Sequence, residues 1–462
     1  MASSSQSSYS IDAVQPYRMR VSQKYLDLTK RKLELTRLPR DARNAPQRNN
    51  AGVSRLDLEP LIDHWMEKYD WRAQETFYND TLPQFRVAMN GTRLHFVHKR
   101  SQSPAAIPLL FIHGRPESFI AVSKVIDALS NPIATPPRGD ENVQSFHVVA
   151  PSIPGFGFSD PVAEGANNMQ ATADTFNALM AELGYHQYVC HGTGWGFGIC
   201  RALALAHPES CIAIHTVNPE VPAPKFGISA RVWLKYRIAK LIYAVLQRST
   251  FGYTPEELTQ AGSGGAPPLS TPTRASSSTP ITSKRPQTAA YALCDSPPGL
   301  LAYMLDSIQP PSVAFKTPSH PQSLESLHPS TKPQSLGLGD VSSQWTPTAL
   351  LTWTMLYWLP GPEVALRWLA NSKSMVGSLW ASHSSVPLGI SHYREPVERG
   401  AAKVQSPPQW AKAYHRVAML RRRDGRARFP AWERPAEVVL DIREFVELLG
   451  WTFPSYVAAA KG

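Results

Sequence analysis

The chain has 462 residues, enough for one large domain with additions, and 42% of them are hydrophobic, as in ordinary globular proteins. Lys and Arg exceed Asp and Glu by 11, but the basic residues are dispersed apart from one arginine cluster at 421–428, so we expect no nucleic-acid partner. The four cysteines lack metal or disulfide spacing, and no apolar run reaches the length of a membrane-spanning helix. We expect neither a metal nor any other cofactor.

The first hundred residues are predicted to form a Ser-rich start and a small helical segment. Residues 1–15 are expected to be disordered, and they lack the charged and then apolar layout of a signal peptide. This favours a cytoplasmic protein, with attachment to a membrane surface as the alternative. In residues 16–100 an Asn90-Gly91 pair supplies the two residues of positive φ that a type I′ hairpin turn requires. We expect this segment to wrap the following domain and to bury Trp65 and Trp71.

From residue 101 onward, short apolar strands alternate with helices, as in a doubly wound α/β sheet. Strands are predicted at 108–113, 146–150, 187–190 and 211–217, and helices at 118–129, 169–183 and 197–206. The alternation stops after Pro219 and resumes with a strand at 386–390 and a helix at 437–449. We therefore assign residues 101–220 and 380–462 to one α/β core.

Residues 221–379 interrupt this core and are predicted to form a helical cap. The first helix, 231–247, is apolar, aromatic and basic on different faces, and we interpret it as a lid packed on the core rather than a helix on a membrane surface. Two stretches, 262–280 and 312–334, are rich in Pro and Ser and cannot bury enough apolar surface to fold alone. Helical patterns cover 285–304 and 345–370.

The sequence QYVCHGTGWGFGICRAL at 187–203 has the pattern of a nucleophile elbow, a sharp turn that lifts a catalytic side chain above a sheet. Such a turn needs small residues two places on either side of the nucleophile. Gly192 and Gly196 are those residues, and the residue between them is Gly194. Because glycine has no side chain, the elbow lacks a nucleophile. We expect the neighbouring Thr193 to point elsewhere and His191 to be a core or pocket residue.

Further motifs accompany the elbow: YDWR at 69–72, LHFVH at 94–98, HGRPES at 113–118, PSIPGFGFSD at 151–160, HGTGWG at 191–196, KRPQTAAYALCDSPPGLLAY at 284–303, LYWLPG at 356–361 and RFPAWERP at 428–435. Together they resemble the microsomal type of epoxide hydrolase over nearly all of residues 15–455. The resemblance implies an α/β-hydrolase fold with a helical cap and a characteristic N-terminal segment. It also implies an Asp that opens the epoxide to an ester, a His that activates water, an acid that orients the His, and cap tyrosines that protonate the epoxide oxygen.

Carried over to this chain, the catalytic pattern of the family is broken. The nucleophile position is Gly194, and the base position is Arg428, which stays protonated and cannot act as a base. One cap tyrosine position is Ser278, and the stretch LRWLAN offers no second tyrosine. Glu395 and Glu398 are the candidates for the orienting acid.

The loop that carries the oxyanion donors is altered but present. Its motif, commonly HGWPGS in the family, is HGRPES here, so His113, Gly114 and Arg115 are expected at the pocket together with Trp195. We interpret His113 as structural. Arg115 and Glu117 change the charge of the pocket.

These substitutions favour a member of the family whose chemistry has changed. Its ligand is expected to be a small lipophilic oxygenated metabolite of secondary metabolism, acted on by a shaped pocket and polarising groups without a covalent step. A non-catalytic ligand-binding or partner protein is one alternative. The other is an ordinary epoxide hydrolase with a sequence disturbed around residues 260–335, although such an error would not explain Gly194 or Arg428.

Overall fold

A nine-stranded sheet carries the core of the protein. The computed structural model describes residues 13–40, 52–132, 143–260, 285–308, 344–394, 405–425 and 427–450. The strands are β1 (Gln15–Tyr17), β2 (Gln84–Met89), β3 (Thr92–Lys99), β4 (Ile107–Ile112), β5 (Phe146–Pro151), β6 (Tyr188–Gly192), β7 (Cys211–Val217), β8 (Ser384–Arg394) and β9 (His415–Asp424). Their spatial order is β1-β2-β3-β5-β4-β6-β7-β8-β9.

The part of the sheet from β4 to β9 is parallel, which confirms the predicted α/β core. Strand β6 lies in the middle of the sheet between β4 and β7. The apolar runs of β4 and β5 are buried along their whole length, as expected for strands covered by packed helices. These helices are α4 (Ile126–Ser130), α5 (Met169–Glu182), α6 (Trp195–Ala206), α13 (Pro430–Glu433) and α14 (Pro435–Leu449).

One predicted helix of the core is wrong in form. Instead of a continuous helix at 118–129, the chain forms a 3-10 turn over Phe119–Lys124 followed by the short α4. The β-branched residues Val122, Val125 and Ile126 lie in this stretch, and such residues have a slightly lower helix propensity because their χ1 freedom is restricted.

The N-terminal segment extends the sheet and packs its helices on the cap. The β2–β3 hairpin turns at Asn90 and Gly91, whose φ angles of 48° and 74° are both positive, as predicted. The helices are α1 (Gln23–Glu34), α2 (Arg55–Glu67) and α3 (Trp71–Thr81), and both Trp65 and Trp71 are buried. The Trp358 indole N–H donates to Thr29 Oγ1 at 2.8 Å, so α1 is joined to a cap helix.

The described part of the cap is helical. It consists of α7 (Ala230–Leu246), α8 (Pro255–Gln260), α9 (Pro286–Asp295), α10 (Pro297–Ile308), α11 (Pro347–Trp358) and α12 (Glu363–Leu379). Several of these helices begin at a proline, whose fixed φ suits the first helical position. The Pro/Ser-rich stretches 262–280 and 312–334 lie outside the described residues.

Strand β9 was missed in the sequence, where its arginines looked like a polar cluster. The strand forms the outer edge of the described sheet beside β8. Arg421 pairs with Glu444, Arg422 with Glu257 at 2.8 Å, and Arg423 with Asp441. The three arginines therefore neutralise carboxylates of the same chain.

Candidate active site

The predicted elbow forms at the carboxyl end of β6, where the chain turns through Thr193 and Gly194 into α6. Gly194 has φ 51° and ψ −117°, a conformation that favours glycine. A Cβ on Gly192 would lie 2.6 Å from the backbone of Gly196, and one on Gly196 would lie 2.4 Å from the carbonyl oxygen of Ile112. The flanking glycines are therefore required by the close approach of strand and helix.

The apex of the elbow is open space. A Cβ built on Gly194 would meet no heavy atom within 4 Å. Trp195 begins α6, and the next three amides of the helix donate to the carbonyls of Thr193 and Gly194. The apex therefore has room for a small group beside a helix N-terminus, where the helix dipole stabilises negative charge.

The loop after β4 packs against this turn, and His113 holds it in place. The His113 ring lies between Gly114 and Ile153, with Nδ1 2.9 Å from the Gly114 carbonyl oxygen and Nε2 accepting from the Ile153 amide at 3.1 Å. Burial lowers the pKa of His113 to about 4, so the ring is neutral at pH 7. These contacts support a structural function.

Glu117 brings a buried carboxyl group to the side of the elbow. Its Oε2 accepts the amide N–H of Gly114 at 2.8 Å and the Thr193 hydroxyl at 3.0 Å. Both bonds end on the same oxygen. Among the described residues no hydrogen bond reaches Oε1, and the carboxyl is held against Thr193, the residue that precedes the open apex at Gly194.

The environment of Glu117 shifts the pKa of its carboxyl group to near neutral pH. Burial raises its pKa to about 7, because a carboxylate loses its hydration there. The hydrogen bonds from Gly114 and Thr193 oppose this shift, and the negative charge of Glu433 adds to it. Close to pH 7 Glu117 can both lose and accept a proton, which a general base or acid needs.

Two cap tyrosines contact the same loop. The Tyr357 hydroxyl donates to the backbone carbonyl of Glu117 at 2.7 Å. Arg115 Nη1 donates to the Tyr303 oxygen at 2.6 Å, and the Arg115 guanidinium lies 4.9 Å from the centre of the Tyr303 ring. Since Tyr303 accepts from Arg115, its own hydroxyl hydrogen is available to another acceptor.

The segment that carries the family's base position is held by Glu433. This buried carboxylate accepts the backbone N–H of Arg428 at 2.6 Å, that of Phe429 at 3.1 Å and the Trp345 indole N–H at 2.9 Å. The Arg428 side chain is half-buried. That its guanidinium projects toward the elbow stays a prediction.

His191 lies in a buried chain of polar groups. Its Nδ1 is 3.0 Å from Nδ1 of His215, which contacts Ser391 through Nε2 at 3.1 Å, and Ser391 donates to Asp441 at 2.6 Å. Burial lowers the pKa of His215 to about 3 and that of His191 well below its usual range. Thr193 directs its hydroxyl to Glu117.

Some predicted site residues cannot be placed, and others were overlooked. Ser278, Glu395 and Glu398 lie outside the described residues. Sequence reasoning noted Glu117 only for its charge and gave no role to Tyr303 or Tyr357. The available signal was a carboxyl residue at the fifth position of HGRPES, where the related motif has glycine.

Neither a metal centre nor a membrane span emerges from the described ranges. Within them, no group of three or more His, Cys, Asp or Glu side chains is arranged to hold a metal ion. Of the helices described, none has both the length and the apolar character needed to cross a membrane.

Comparison with known proteins connects this geometry to a family. The family described as "Epoxide hydrolase N terminus" matches residues 14–122, and the one described as "alpha/beta hydrolase fold" matches residues 107–252. Epoxide hydrolase 1 of Sus scrofa is 28% identical over 447 residues, which are 95% of this chain and 89% of that protein. The chain is therefore similar to epoxide hydrolases over nearly all of its length.

Solved epoxide hydrolases share the fold. The juvenile hormone epoxide hydrolase of Bombyx mori superposes with a TM-score of 0.66 at 22% identity, covering 96% of this chain and 95% of that one. The epoxide hydrolase of Aspergillus niger superposes with a TM-score of 0.65 at 20% identity, covering 94% and 96%. The chain therefore combines the fold of these epoxide hydrolases with a glycine at the apex of its elbow.

Proposed function

We propose that this chain hydrolyses a small lipophilic epoxide by direct attack of water, with no ester intermediate. The observation that carries this proposal is Glu117, a buried carboxyl bonded through Oε2 to Thr193, the residue before the open apex at Gly194. With glycine at the apex, no side chain there can attack the epoxide. The space instead suits a water molecule, and Glu117 can take its proton.

The proposed step pairs a base beside the elbow with an acid from the cap. The Glu117 carboxylate removes a proton from water as the water oxygen bonds to an epoxide carbon and the opposite carbon–oxygen bond breaks. The epoxide oxygen takes a proton from the Tyr303 hydroxyl, and the positive charge of Arg115 stabilises the negative charge that develops there. Glu117 returns its proton to solvent and Tyr303 regains one. The sum is epoxide plus water giving a diol.

The surroundings of the elbow support a lipophilic ligand. The Trp195 ring packs edge-on against Trp368 at 5.8 Å, and Phe156 contacts Trp368 at 5.7 Å and Tyr357 at 5.9 Å. Aromatic walls with a few polar groups are typical of small-molecule sites. The proposed substrate is an oxygenated metabolite of secondary metabolism that presents its epoxide to Glu117 and Tyr303.

A single-turnover experiment in oxygen-18 water distinguishes direct attack from ester formation. With enzyme in excess over an aryl or aliphatic epoxide, direct attack places oxygen-18 in the diol during the first turnover. An ester mechanism would transfer a carboxylate oxygen of the protein, so the first diol would carry oxygen-16. Mass spectrometry of the diol reads the result, and oxygen-16 in the first turnover would overturn the proposal.

Variants test the assigned residues. Glu117→Gln should lower kcat by about 10²–10⁴, the usual contribution of a general base. Tyr303→Phe should lower kcat because the ring remains and only the proton donor is lost. Glu182→Gln, at an exposed position on α5, is the matched control and should leave kcat unchanged. Saturable binding without turnover of any epoxide would instead indicate a ligand-binding protein.

A further inference from the structure

Helix α7 turns an apolar stripe away from the protein. Leu234, Ile238, Leu241 and Val245 follow the spacing of one helix face, and each is between 37% and 70% exposed. The opposite face is the one that packs inward, through Tyr236 and Ala239. The apolar stripe therefore lies outside the surface through which α7 packs on the protein.

Basic residues flank this stripe, and the segment that carries it contains no acidic residue. Residues 221–255 contain no Asp or Glu, and their basic residues are Lys225, Arg231, Lys235, Arg237, Lys240 and Arg248. On a helical projection, Arg231 and Lys235 lie on one side of the stripe and Arg237 on the other. The outward face of α7 is thus apolar along its centre and cationic along its borders.

Aromatic side chains extend the surface beyond the helix. Phe226 precedes α7 and Phe251 follows it, and both are exposed. The Lys235 ammonium lies 5.9 Å from the centre of the Phe251 ring, and the Arg237 guanidinium lies 5.9 Å from that of Trp233. Aromatic and cationic groups around an apolar stripe are the features of helices that lie in a membrane interface.

Contrary to the sequence-based interpretation of this helix as a lid only, we infer that the outward face of α7 docks the protein on an anionic membrane surface. Acyl chains accept the apolar stripe, and anionic headgroups neutralise its basic borders. A second copy of the chain suits this surface less well, because symmetric pairing would place one set of basic residues near another. The inference rests on α7 alone and is independent of the chemistry proposed for Glu117.

Vesicle flotation with the full chain tests this docking. We expect binding to phosphatidylcholine vesicles that contain roughly 30% phosphatidylserine, and binding at least about tenfold weaker to pure phosphatidylcholine or at high salt. Leu234→Gln/Leu241→Gln/Val245→Gln should abolish flotation. Lys235→Glu/Arg237→Glu should weaken it by more than about tenfold. The matched control, Leu440→Gln/Leu448→Gln, removes two exposed leucines from α14 and should change nothing.

Three outcomes would overturn the inference. The first is no binding of the wild-type chain to anionic vesicles. The second is equal loss of binding in the α14 control. The third is a wild-type dimer that the α7 variant converts to monomer without lipid binding, since a second copy would then be the occupant. Thermal unfolding of each variant shows that it is folded, so a loss of flotation reports on the surface itself.

Discussion

Replacing Glu117 by Gln should make the protein more stable at alkaline pH and leave its stability nearly unchanged at acidic pH. Gln has the shape of the protonated carboxyl, and its carbonyl oxygen can accept the bonds from Gly114 and Thr193. Because Gln does not ionise, the variant lacks the unfavourable free energy of burying a negative charge.

The size of the effect follows from the pKa. An unperturbed Glu has a pKa of 4.5, and burial raises the pKa of Glu117 to about 7 in the folded chain. Below pH 4.5 both states carry the proton; between 4.5 and about 7 only the unfolded state releases it, so wild-type stability falls as the pH rises. Each pH unit costs about 1.4 kcal/mol, and the interval of about 2.5 units gives about 3 kcal/mol. Above pH 7 both states of the wild-type chain are ionised, so the difference in free energy of unfolding between variant and wild type is constant.

Urea unfolding of both proteins at pH 5 and pH 8 measures this difference. Relative to wild type, Glu117→Gln should gain about 2–3 kcal/mol in free energy of unfolding between the two values. Glu59→Gln is the matched control, at a solvent-facing position of α2. The hydrogen bond from Arg55 lowers the pKa of Glu59. Glu59 is therefore ionised in both the folded and the unfolded chain from pH 5 to pH 8, and this variant should show almost no change in relative stability between the two values.

Equal stability differences at pH 5 and pH 8 would refute the reasoning. Such a result would mean that Glu117 ionises in the folded chain as it does in the unfolded one. The carboxyl would then be hydrated, and the description of Glu117 as a buried group beside the elbow would be wrong.

Three further predictions concern the same site. The kcat/KM for epoxide hydrolysis should rise about tenfold per pH unit up to about pH 7 and then level off, because Glu117 acts as the carboxylate; a rate that falls over this range would make it an acid instead. Gly192→Ala should lower the free energy of unfolding by more than about 3 kcal/mol, since its Cβ would lie 2.6 Å from the backbone of Gly196. The Cβ of Gly194→Ala would meet open space, so this variant should lose only about 1–2 kcal/mol, through the strain of its positive φ. Arg428→Ala should weaken ligand affinity in a titration with little change in melting temperature, and a large loss of stability with intact binding would instead make Arg428 a structural residue.

The sequence predicted what depends on local backbone geometry. The elbow was recognisable because close approach of strand and helix permits only glycine at positions 192 and 196. Both positions lie within one short stretch of sequence, so the pattern can be recognised without the fold. The Asn90-Gly91 turn was predictable for the same reason, since two consecutive positive φ angles favour these residues.

The function of Glu117 was not predictable in this way, because it depends on contacts between distant parts of the chain. Thr193, which donates to its carboxyl, is 76 residues away, and Tyr357, which donates to its carbonyl, is 240 residues away. Strand β9 was missed for a related reason. Its arginines look like a solvated cluster until the fold places Glu257, Asp441 and Glu444 beside them.

The arginines of β9 also lie along an outer edge of the described sheet. An outermost strand presents a row of free backbone donors and acceptors, on which a strand of another molecule can add. Side chains of charged residues along such a strand make this addition costly, because they would have to leave water. Arg421, Arg422 and Arg423 remain partly exposed while each is paired with a carboxylate. The edge of the sheet is thus protected against aggregation with little net charge added to the surface.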